Sequence, residues 1–241
     1  MIKTTVDIIL PVYRGNITQV EPGVNKLIQY FRENLKNYSW KIVISVNGSG
    51  ADEILSLSKK LSKKYKEVVY VYTESGGKGN GVFNGWQHSK ADVRTYMDID
   101  LATDLDSFRP LVEAIEKGYD IAVGSRYHPQ SIALRTIFRL VLSKVYLLLF
   151  FKWILGVKCN DAQCGFKAVN KRVTDDIIPL VKDRDFFFES ELLYYAYKKG
   201  FKIKEIPIKW REAEFSSVNT TKIIPKFIKN VIRLKFSKVR D

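Results

Sequence analysis

Cysteine and long apolar runs are scarce in this chain, and each scarcity excludes a class of protein. Its two cysteines, Cys159 and Cys164, stand at a spacing that matches no common zinc or disulfide framework. We therefore expect two reduced thiols in a cytosolic setting. Within the apolar segment 132–157, the longest uncharged run is 145–151. That run is far shorter than the roughly 20 residues that cross a bilayer.

Several familiar motifs are also missing. No Gly-x-Gly-x-x-Gly follows the first predicted strand, and no Gly-Lys-Ser/Thr closes a P-loop, so dinucleotide and Walker-type sites are disfavoured. The first residues lack the apolar core of a signal peptide. We expect the protein to stay on the cytoplasmic side of the membrane.

Basic residues are abundant. Lys and Arg number 40 against 26 Asp and Glu, giving a net charge of +14 in 241 residues. Such an excess favours anionic partners: phosphorylated ligands, acidic lipid surfaces or nucleic acid. Charge alone does not distinguish among them. The 46% hydrophobic content suits one compact domain, or one domain with an appendage.

Apolar periodicity predicts alternating strands and helices. Strands are expected at 6–12, 41–46, 68–72, 93–97 and 120–124, with helical patterns between them. Parallel strands need crossover helices of this length. The predicted fold class is therefore α/β, with a mostly parallel sheet covered by helices on both faces.

Two carboxylates follow the fourth predicted strand. Asp98 and Asp100 are two residues apart, so on an extended chain they share a face while Ile99 points into the core. Open α/β sheets bind ligands at this edge. Two hard oxygen ligands suit Mg²⁺ or Mn²⁺, which in turn bind diphosphate oxygens. The alternative is a solvated Asp pair that precedes the helix opening at Asp104.

Other strand-end loops should converge on the same crevice. They carry Pro11 and Tyr13, then Asn47, then the glycine-rich 76–79 with Lys78. Glycines let backbone N–H groups approach a phosphate, and Lys78 adds a cation. An ordinary flexible turn is the alternative for 76–79.

Two segments suggest a membrane surface. Residues 131–157 are strongly apolar, with Arg135, Arg139, Lys144 and Lys152 as their only charges, and suit a helical segment lying in the headgroup plane. The tail 213–241 holds a basic amphipathic helix that could bind anionic lipid. A buried core helix and a solvated helix packed on the domain are the respective alternatives.

Taken together, the motifs resemble family 2 of the inverting GT-A glycosyltransferases, within it the polyprenyl- or dolichyl-phosphate sugar transferases. The resemblance covers about residues 5 to 212, and we take residues 1–212 as the glycosyltransferase domain. The matching pieces, in the family's order, are Pro11-Val12-Tyr13, Gly77-Lys78-Gly79, Met97-Asp98-Ile99-Asp100-Leu101-Ala102-Thr103, Gly124-Ser125-Arg126, Asp161-x-Gln163-Cys164-Gly165-Phe166-Lys167 and Phe188-Glu189-x-Glu191-Leu192-Leu193.

The resemblance implies a GT-A (Rossmann-like) fold with amphipathic interfacial helices and a metal-dependent hexosyltransferase. Its donor would be a nucleotide sugar, UDP-glucose-like or GDP-mannose-like, bound near Pro11, Tyr13, Asn47 and Lys78 with Mg²⁺ or Mn²⁺ on Asp98 and Asp100. Its acceptor would be a polyprenyl or dolichyl phosphate at the cytoplasmic membrane surface, and nucleic acid would not be a partner.

Family positions further imply that Arg126, Arg139 and Ser143 hold the acceptor phosphate, with Arg135 as a second candidate on the same face. Glu189 would orient sugar hydroxyls or Lys and Arg partners, and Gln163 and Lys167 belong to the most specific motif. The alternative for Arg126 is a pair with Asp161 that fixes the loop.

The chain also departs from the family. Arg14-Gly15 and Val46-Asn47 replace carboxylates that border the base, so the nucleotide stays open. Ala102 replaces a glutamine of the mannosyltransferases, which favours the glucosyltransferase-like branch. Two other functions remain: a glycosyltransferase with a soluble or protein acceptor, and a non-catalytic protein that binds membrane surfaces or nucleic acid.

Overall fold

The first half of the chain folds as strand–helix units. In this computed structural model, the residues described are 3–134, 144, 146–211 and 220–237. Strands β1 (Thr5–Val12), β2 (Ser39–Asn47), β3 (Val68–Thr73) and β4 (Val93–Met97) alternate with helices α1 (Ile17–Asn34), α2 (Asp52–Lys64) and α3 (Lys78–His88). On α1, the buried positions Val20, Val24, Leu27, Ile28 and Phe31 recur every three or four residues, as one helix face requires.

The second half is less regular. Its elements are α4 (Phe108–Glu116), β5 (Ile121–Ser125), β6 (Ile132–Leu134), a π-helix (Tyr146–Ile154), β7 (Phe166–Val169), α5 (Lys171–Asp176), α6 (Phe188–Lys198), β8 (Ile203–Pro207), β9 (Lys209–Arg211) and α7 (Thr220–Lys235). Short 3₁₀ turns occupy Arg14–Asn16, Leu105–Ser107 and Ile178–Leu180.

Seven strands form the main sheet, in the order β3-β2-β1-β4-β7-β5-β8. All neighbouring pairs are parallel except those of β7, which runs antiparallel to both β4 and β5. Met97, the last residue of β4, pairs with Phe166, the first residue of β7. The loop that precedes β7 therefore lies at the edge where the parallel strands end.

Helices pack on both faces of this sheet, as predicted. On one face, the Tyr96 ring lies 5.7 Å from that of Trp86 in α3 and 5.9 Å from that of Phe188 in α6. On the other face, Phe166 packs 6.2 Å from Phe108 of α4. Successive strand residues alternate between faces, so β7 supplies Phe166 to one layer and Lys167 to the other.

One part of the segment predicted to be helical is instead a strand. Residues 132–134 form β6, which pairs in parallel with β9 in a separate two-stranded sheet. A strand of three residues is too short for its alternation of inward and outward side chains to be recognised beside the apolar run that follows. From position 146 the segment is helical, and Phe151 and Leu155 are buried while Trp153 is 80% exposed.

The C-terminal helix α7 packs on the domain. Val231 and Leu234 are buried, and the Tyr194 hydroxyl of α6 donates to the Leu234 carbonyl at 3.0 Å. Arg233 forms a two-pronged ion pair, 2.8 Å at each contact, with the fully buried Glu191. Within the described ranges, no helix combines the length and apolarity needed to cross a membrane.

Candidate active site

Asp98 and Asp100 lie in a tight turn just beyond β4. The Leu101 amide donates to the Asp98 carbonyl at 3.2 Å, and Leu101 takes a positive φ of 51°. The two carboxylates share a cleft of about 230 Å³, whose wall also includes Gly165 and Trp210. Strand alternation, the reason given for that shared face, is wrong because the strand ends at Met97. The turn achieves the same result, and Ile99 is buried as expected.

Lys78, in the first turn of α3, contacts Asp98. Its Nζ lies 2.9 and 3.1 Å from the two Asp98 carboxylate oxygens and 3.0 Å from Glu189 Oε1. Burial alone would lower the pKa of Lys78, but the two carboxylates raise it above its ordinary value. Lys78 therefore carries a fixed positive charge beside the cleft.

Glu189 lies between two lysines. Its Oε2 accepts from Lys167 Nζ at 2.9 Å, and Lys167 is wholly buried and also donates to the Cys164 carbonyl at 2.5 Å. Burial would raise the pKa of Glu189, yet Lys167 and Lys78 together hold it at about 2. The carboxylate is ionised and pairs with a lysine at each oxygen, which makes Glu189 unsuited to act as a general base. Its predicted role in the reaction stays a prediction.

These four side chains form a row of alternating charges, which we call the charge row: Lys167, Glu189, Lys78 and Asp98. Exposure rises along it, from 0% for Lys167 and 3% for Glu189 to 17% for Lys78 and 41% for Asp98. The buried end is fully paired, and the carboxylate at the outer end faces the cleft.

Gly165 leaves room for the Asp98 carboxylate and the Lys78 ammonium. A Cβ at this position would lie 2.2 Å from Asp98 Oδ2 and 2.9 Å from Lys78 Nζ, so a larger residue would displace both charged groups. Among the described residues, no cluster of three or more His, Cys, Asp or Glu could enclose a metal alone. Two hard carboxylates in an open cleft nevertheless fit Mg²⁺ or Mn²⁺, since such ions keep positions for phosphate and water.

The glycines of 76–79 have a packing role. A Cβ on Gly77 would lie 2.3 Å from the Arg184 carbonyl oxygen, and one on Gly79 would lie 3.0 Å from it. Gly77 also has a φ of 115°, which side chains rarely adopt. The backbone N–H of Asn80 donates to the same Arg184 carbonyl at 3.1 Å. The segment is thus a packed helix start and not an ordinary flexible turn, and its predicted contact with a phosphate stays a prediction.

The loops after β1 and β2 lie at the same sheet edge. Asn47 is buried, and its side-chain amide donates to the Val12 carbonyl at 3.0 Å, which ties the two strand ends together. Pro11 is half-buried, and Tyr13 is 43% exposed beside the edge. The predicted donor-binding roles of these three residues stay predictions.

Arg126 adopts the alternative arrangement. Its Nε and Nη2 each donate to Asp161 at 2.6 Å, and Nη2 also donates to the Gln163 carbonyl at 2.7 Å. The guanidinium lies 5.4 Å from the Trp210 ring, which lines the Asp98 cleft. Arg126 thus fixes the loop before β7, and its contact with an acceptor phosphate stays a prediction.

Beside Arg126 is a second cleft of about 240 Å³, lined in part by Tyr127, Tyr146 and Gln163. Gln163 Nε2 donates to Ser190 Oγ at 2.8 Å, and that hydroxyl lies 2.7 Å from the Tyr146 hydroxyl. The predicted acceptor residues Arg135, Arg139 and Ser143 lie outside the described residues.

Sequence reasoning missed Trp210, Ser190 and Arg184. Trp210 lies in β9, three residues after the end of β8, and an aromatic residue so close to a strand end was a usable signal. Arg184 acts through its backbone carbonyl, and the order of residues along the chain carries no signal for such a contact.

Comparison with known proteins decides the family. Residues 7–177 match the family model described as glycosyl transferase family 2. The chain belongs to this family. Among curated proteins, this glycosyltransferase is 28% identical over 207 residues to glycosyltransferase AglD of Haloferax volcanii, covering 85% of this chain and 33% of that protein.

Two further relatives are dolichyl-phosphate beta-glucosyltransferases. The Saccharomyces cerevisiae protein is 29% identical over 200 residues, covering 74% of this chain and 59% of that one. The Homo sapiens protein is 29% identical over 214 residues, covering 81% and 64%. This chain thus spans between one third and about two thirds of the length of these relatives.

Solved structures share the fold. Mycobacterium tuberculosis glucosyl-3-phosphoglycerate synthase in complex with UDP superposes with a TM-score of 0.63 at 15% identity, covering 97% of this chain and 80% of that one. The same enzyme with Mn²⁺, UDP and phosphoglyceric acid gives 0.62 at 13% identity, covering 98% and 80%. The predicted α/β glycosyltransferase fold is confirmed.

Proposed function

We propose that this family 2 glycosyltransferase transfers a sugar, with inversion, from a nucleotide-sugar donor to a polyprenyl or dolichyl phosphate. The observation that carries the proposal is the cleft at the carboxyl edge of the sheet, where Asp98 and Asp100 face solvent beside the Lys78 ammonium. The names of two relatives, dolichyl-phosphate beta-glucosyltransferases, support the acceptor class.

Asp98 and Asp100 are the residues that would hold Mg²⁺ or Mn²⁺. A divalent cation supplies Lewis-acid stabilisation of the leaving diphosphate. Lys78 adds a second positive charge near it, kept in position by Glu189. This support is electrostatic and built before the reaction, so no group must reorganise as charge develops on the leaving group.

The acceptor chemistry needs no protein base. A phosphate monoester is already ionised at neutral pH, so the protein must chiefly hold two mutually repelling anions in line. Arg126, Arg135, Arg139 and Ser143 are our candidates for the acceptor phosphate. Because Asp161 engages Arg126, we assign Arg126 first to positioning the loop that carries Gln163 and Gly165.

A lipid acceptor requires a membrane surface, and we propose the cytoplasmic face. The outer side of α7 supports contact with a membrane surface: Ile224, Ile228, Ile232 and Phe236 are spaced four residues apart and are 38% to 82% exposed. Lys226 and Lys229 lie exposed among them. Trp153 of the neighbouring π-helix is 80% exposed, and its neighbour Ile154 accepts a hydrogen bond from Lys235 at 3.1 Å.

The test combines donor binding with product analysis. We expect Asp98→Asn and Asp100→Asn to lose metal-dependent donor binding in calorimetry while remaining folded. Asp92→Asn, at the opposite end of β4, is the matched control. Mass spectrometry after incubation with UDP-glucose or GDP-mannose and polyprenyl phosphates identifies the product.

Donor affinity that is unchanged by EDTA in the unsubstituted protein and in both aspartate variants would contradict the metal assignment. Transfer to a soluble phosphorylated acceptor, with no lipid product, would favour the alternative acceptor class.

A further inference from the structure

Lys78 contacts the very carboxylate that we assign to the metal. Its Nζ lies within 3.1 Å of both Asp98 oxygens and 3.0 Å from Glu189 Oε1. We propose that Lys78 makes divalent-cation binding at Asp98 and Asp100 conditional on the donor diphosphate. This inference rests on the proposed function and goes beyond it, since it concerns the order in which the ligands bind.

The lysine is held in place by the charge row. Glu189 is 3% exposed, so withdrawing Lys78 would leave that buried carboxylate with Lys167 as its single cationic partner among the described residues. Leaving a buried charge partly unpaired is costly.

A cation bound to Asp98 alone would therefore be repelled. Metal–oxygen distances of about 2.1 Å, added to the 2.9 Å contact of Lys78, put the two positive charges at most about 5 Å apart. Even with water-like screening, appropriate to a carboxylate that is 41% exposed, this repulsion weakens metal binding on the order of 10-fold.

A diphosphate reverses the sign of this effect. Its oxygens bear negative charge and can contact both the metal and the ammonium. An ammonium has three N–H donors. Two of these N–H groups can donate to Asp98 and Glu189, which leaves the third for a phosphate oxygen. The same lysine thus opposes the metal alone and favours the metal with diphosphate.

The experiment measures Mn²⁺ binding by electron paramagnetic resonance, without nucleotide, and UDP or GDP binding by calorimetry at saturating Mn²⁺. We expect Lys78→Gln to bind Mn²⁺ alone at least about 10-fold more tightly and to bind the diphosphate more weakly. Lys167 still pairs with Glu189 at 2.9 Å in this variant, so the fold should persist. Lys78→Arg keeps the charge and should keep Mn²⁺ binding weak.

Lys90→Gln is the matched control, because it removes the same charge from the exposed loop between α3 and β4, at the opposite edge of the sheet. It should leave both affinities unchanged. Equal Mn²⁺ affinity in the unsubstituted protein and Lys78→Gln, with diphosphate binding still metal-dependent, would overturn this inference alone. Absence of any metal-dependent diphosphate binding in the unsubstituted protein would overturn the proposed function as well.

Discussion

Replacing Glu189 by glutamine should strongly destabilise the protein. The substitution keeps the shape of the side chain but removes the one negative charge between Lys78 and Lys167. One end of the new amide also presents N–H groups to an ammonium that has no acceptor to offer. Lys167, wholly buried, then keeps only neutral partners within the part of the chain that the structure describes, such as the Cys164 carbonyl at 2.5 Å.

The expected loss can be estimated in two ways. Removing one partner of a buried ion pair costs about 3–5 kcal/mol. A carboxylate whose pKa falls from 4.5 to about 2 on folding contributes about 3 kcal/mol. For a chain of 241 residues, such a loss lowers Tm by roughly 6–20 °C.

Urea unfolding with thermal melts measures the effect, with Glu113→Gln as the control. Glu113 is 32% exposed and pairs with Arg109 at 2.8 Å, so its loss should cost about 0.5 kcal/mol or less. Adding Lys167→Met to Glu189→Gln should restore part of the stability, because it removes the unpaired buried cation. A change below about 1 kcal/mol in Glu189→Gln would refute the reasoning.

Acidification offers a second measurement of the same carboxylate. Because folding depresses the pKa of Glu189 from 4.5 to about 2, its stabilisation is complete above the unfolded value and is lost as pH falls toward the folded one. The stability difference between the unsubstituted protein and Glu189→Gln should therefore be constant at neutral pH and shrink below about pH 4.5. A difference that grows on acidification would contradict the assignment.

Three other outcomes are expected. Arg126→Ala should lower Tm, since Asp161 is only 2% exposed and loses a partner worth about 3–5 kcal/mol. If Arg126 also holds the acceptor, the variant should lose about 10- to 100-fold in kcat/KM for the lipid. Normal acceptor kinetics would contradict that role. Ile232→Asp on α7 should weaken co-sedimentation with anionic vesicles, whose binding should also fall with salt; insensitivity to both would argue against a membrane surface there. Burial raises the pKa of Cys159 and Cys164 to about 12, so neither thiol should react with a thiol reagent at neutral pH before unfolding. Rapid reaction in the folded protein would show that the loop before β7 opens.

The strand–helix alternation could be predicted from sequence because each unit buries a periodic apolar face of its own. The bounds of β4 match the prediction, and those of β1, β2, β3 and β5 differ from it by at most two residues. The position of β7 could not be predicted in this way. Its four residues are all buried, so Phe166–Val169 shows no alternation, and pairing with β4 depends on a chain segment far away.

The candidate site divides similarly. Asp98, Asp100, Lys78, Lys167 and Glu189 were all selected from sequence, by strand-end placement or by resemblance. The arrangement of Lys167, Glu189, Lys78 and Asp98 in the charge row depends on three elements and the turn after β4 meeting at one point, which residue spacing does not encode. For Arg126, both partners were considered from sequence, and burial of Asp161 favours the ion pair.

The antiparallel insertion of β7 has a consequence for synthesis on the ribosome. β4 is complete at Met97, but its neighbour β7 ends only at Val169, 72 residues later. At about 5–20 residues per second, the hydrogen-bonding edge of β4 stays unpaired for roughly 4–14 seconds. An apolar, unpaired strand edge readily joins other chains. The strand that brings Lys167 to the site therefore also closes the nascent sheet against aggregation, and slow translation between these two strands would prolong the exposure.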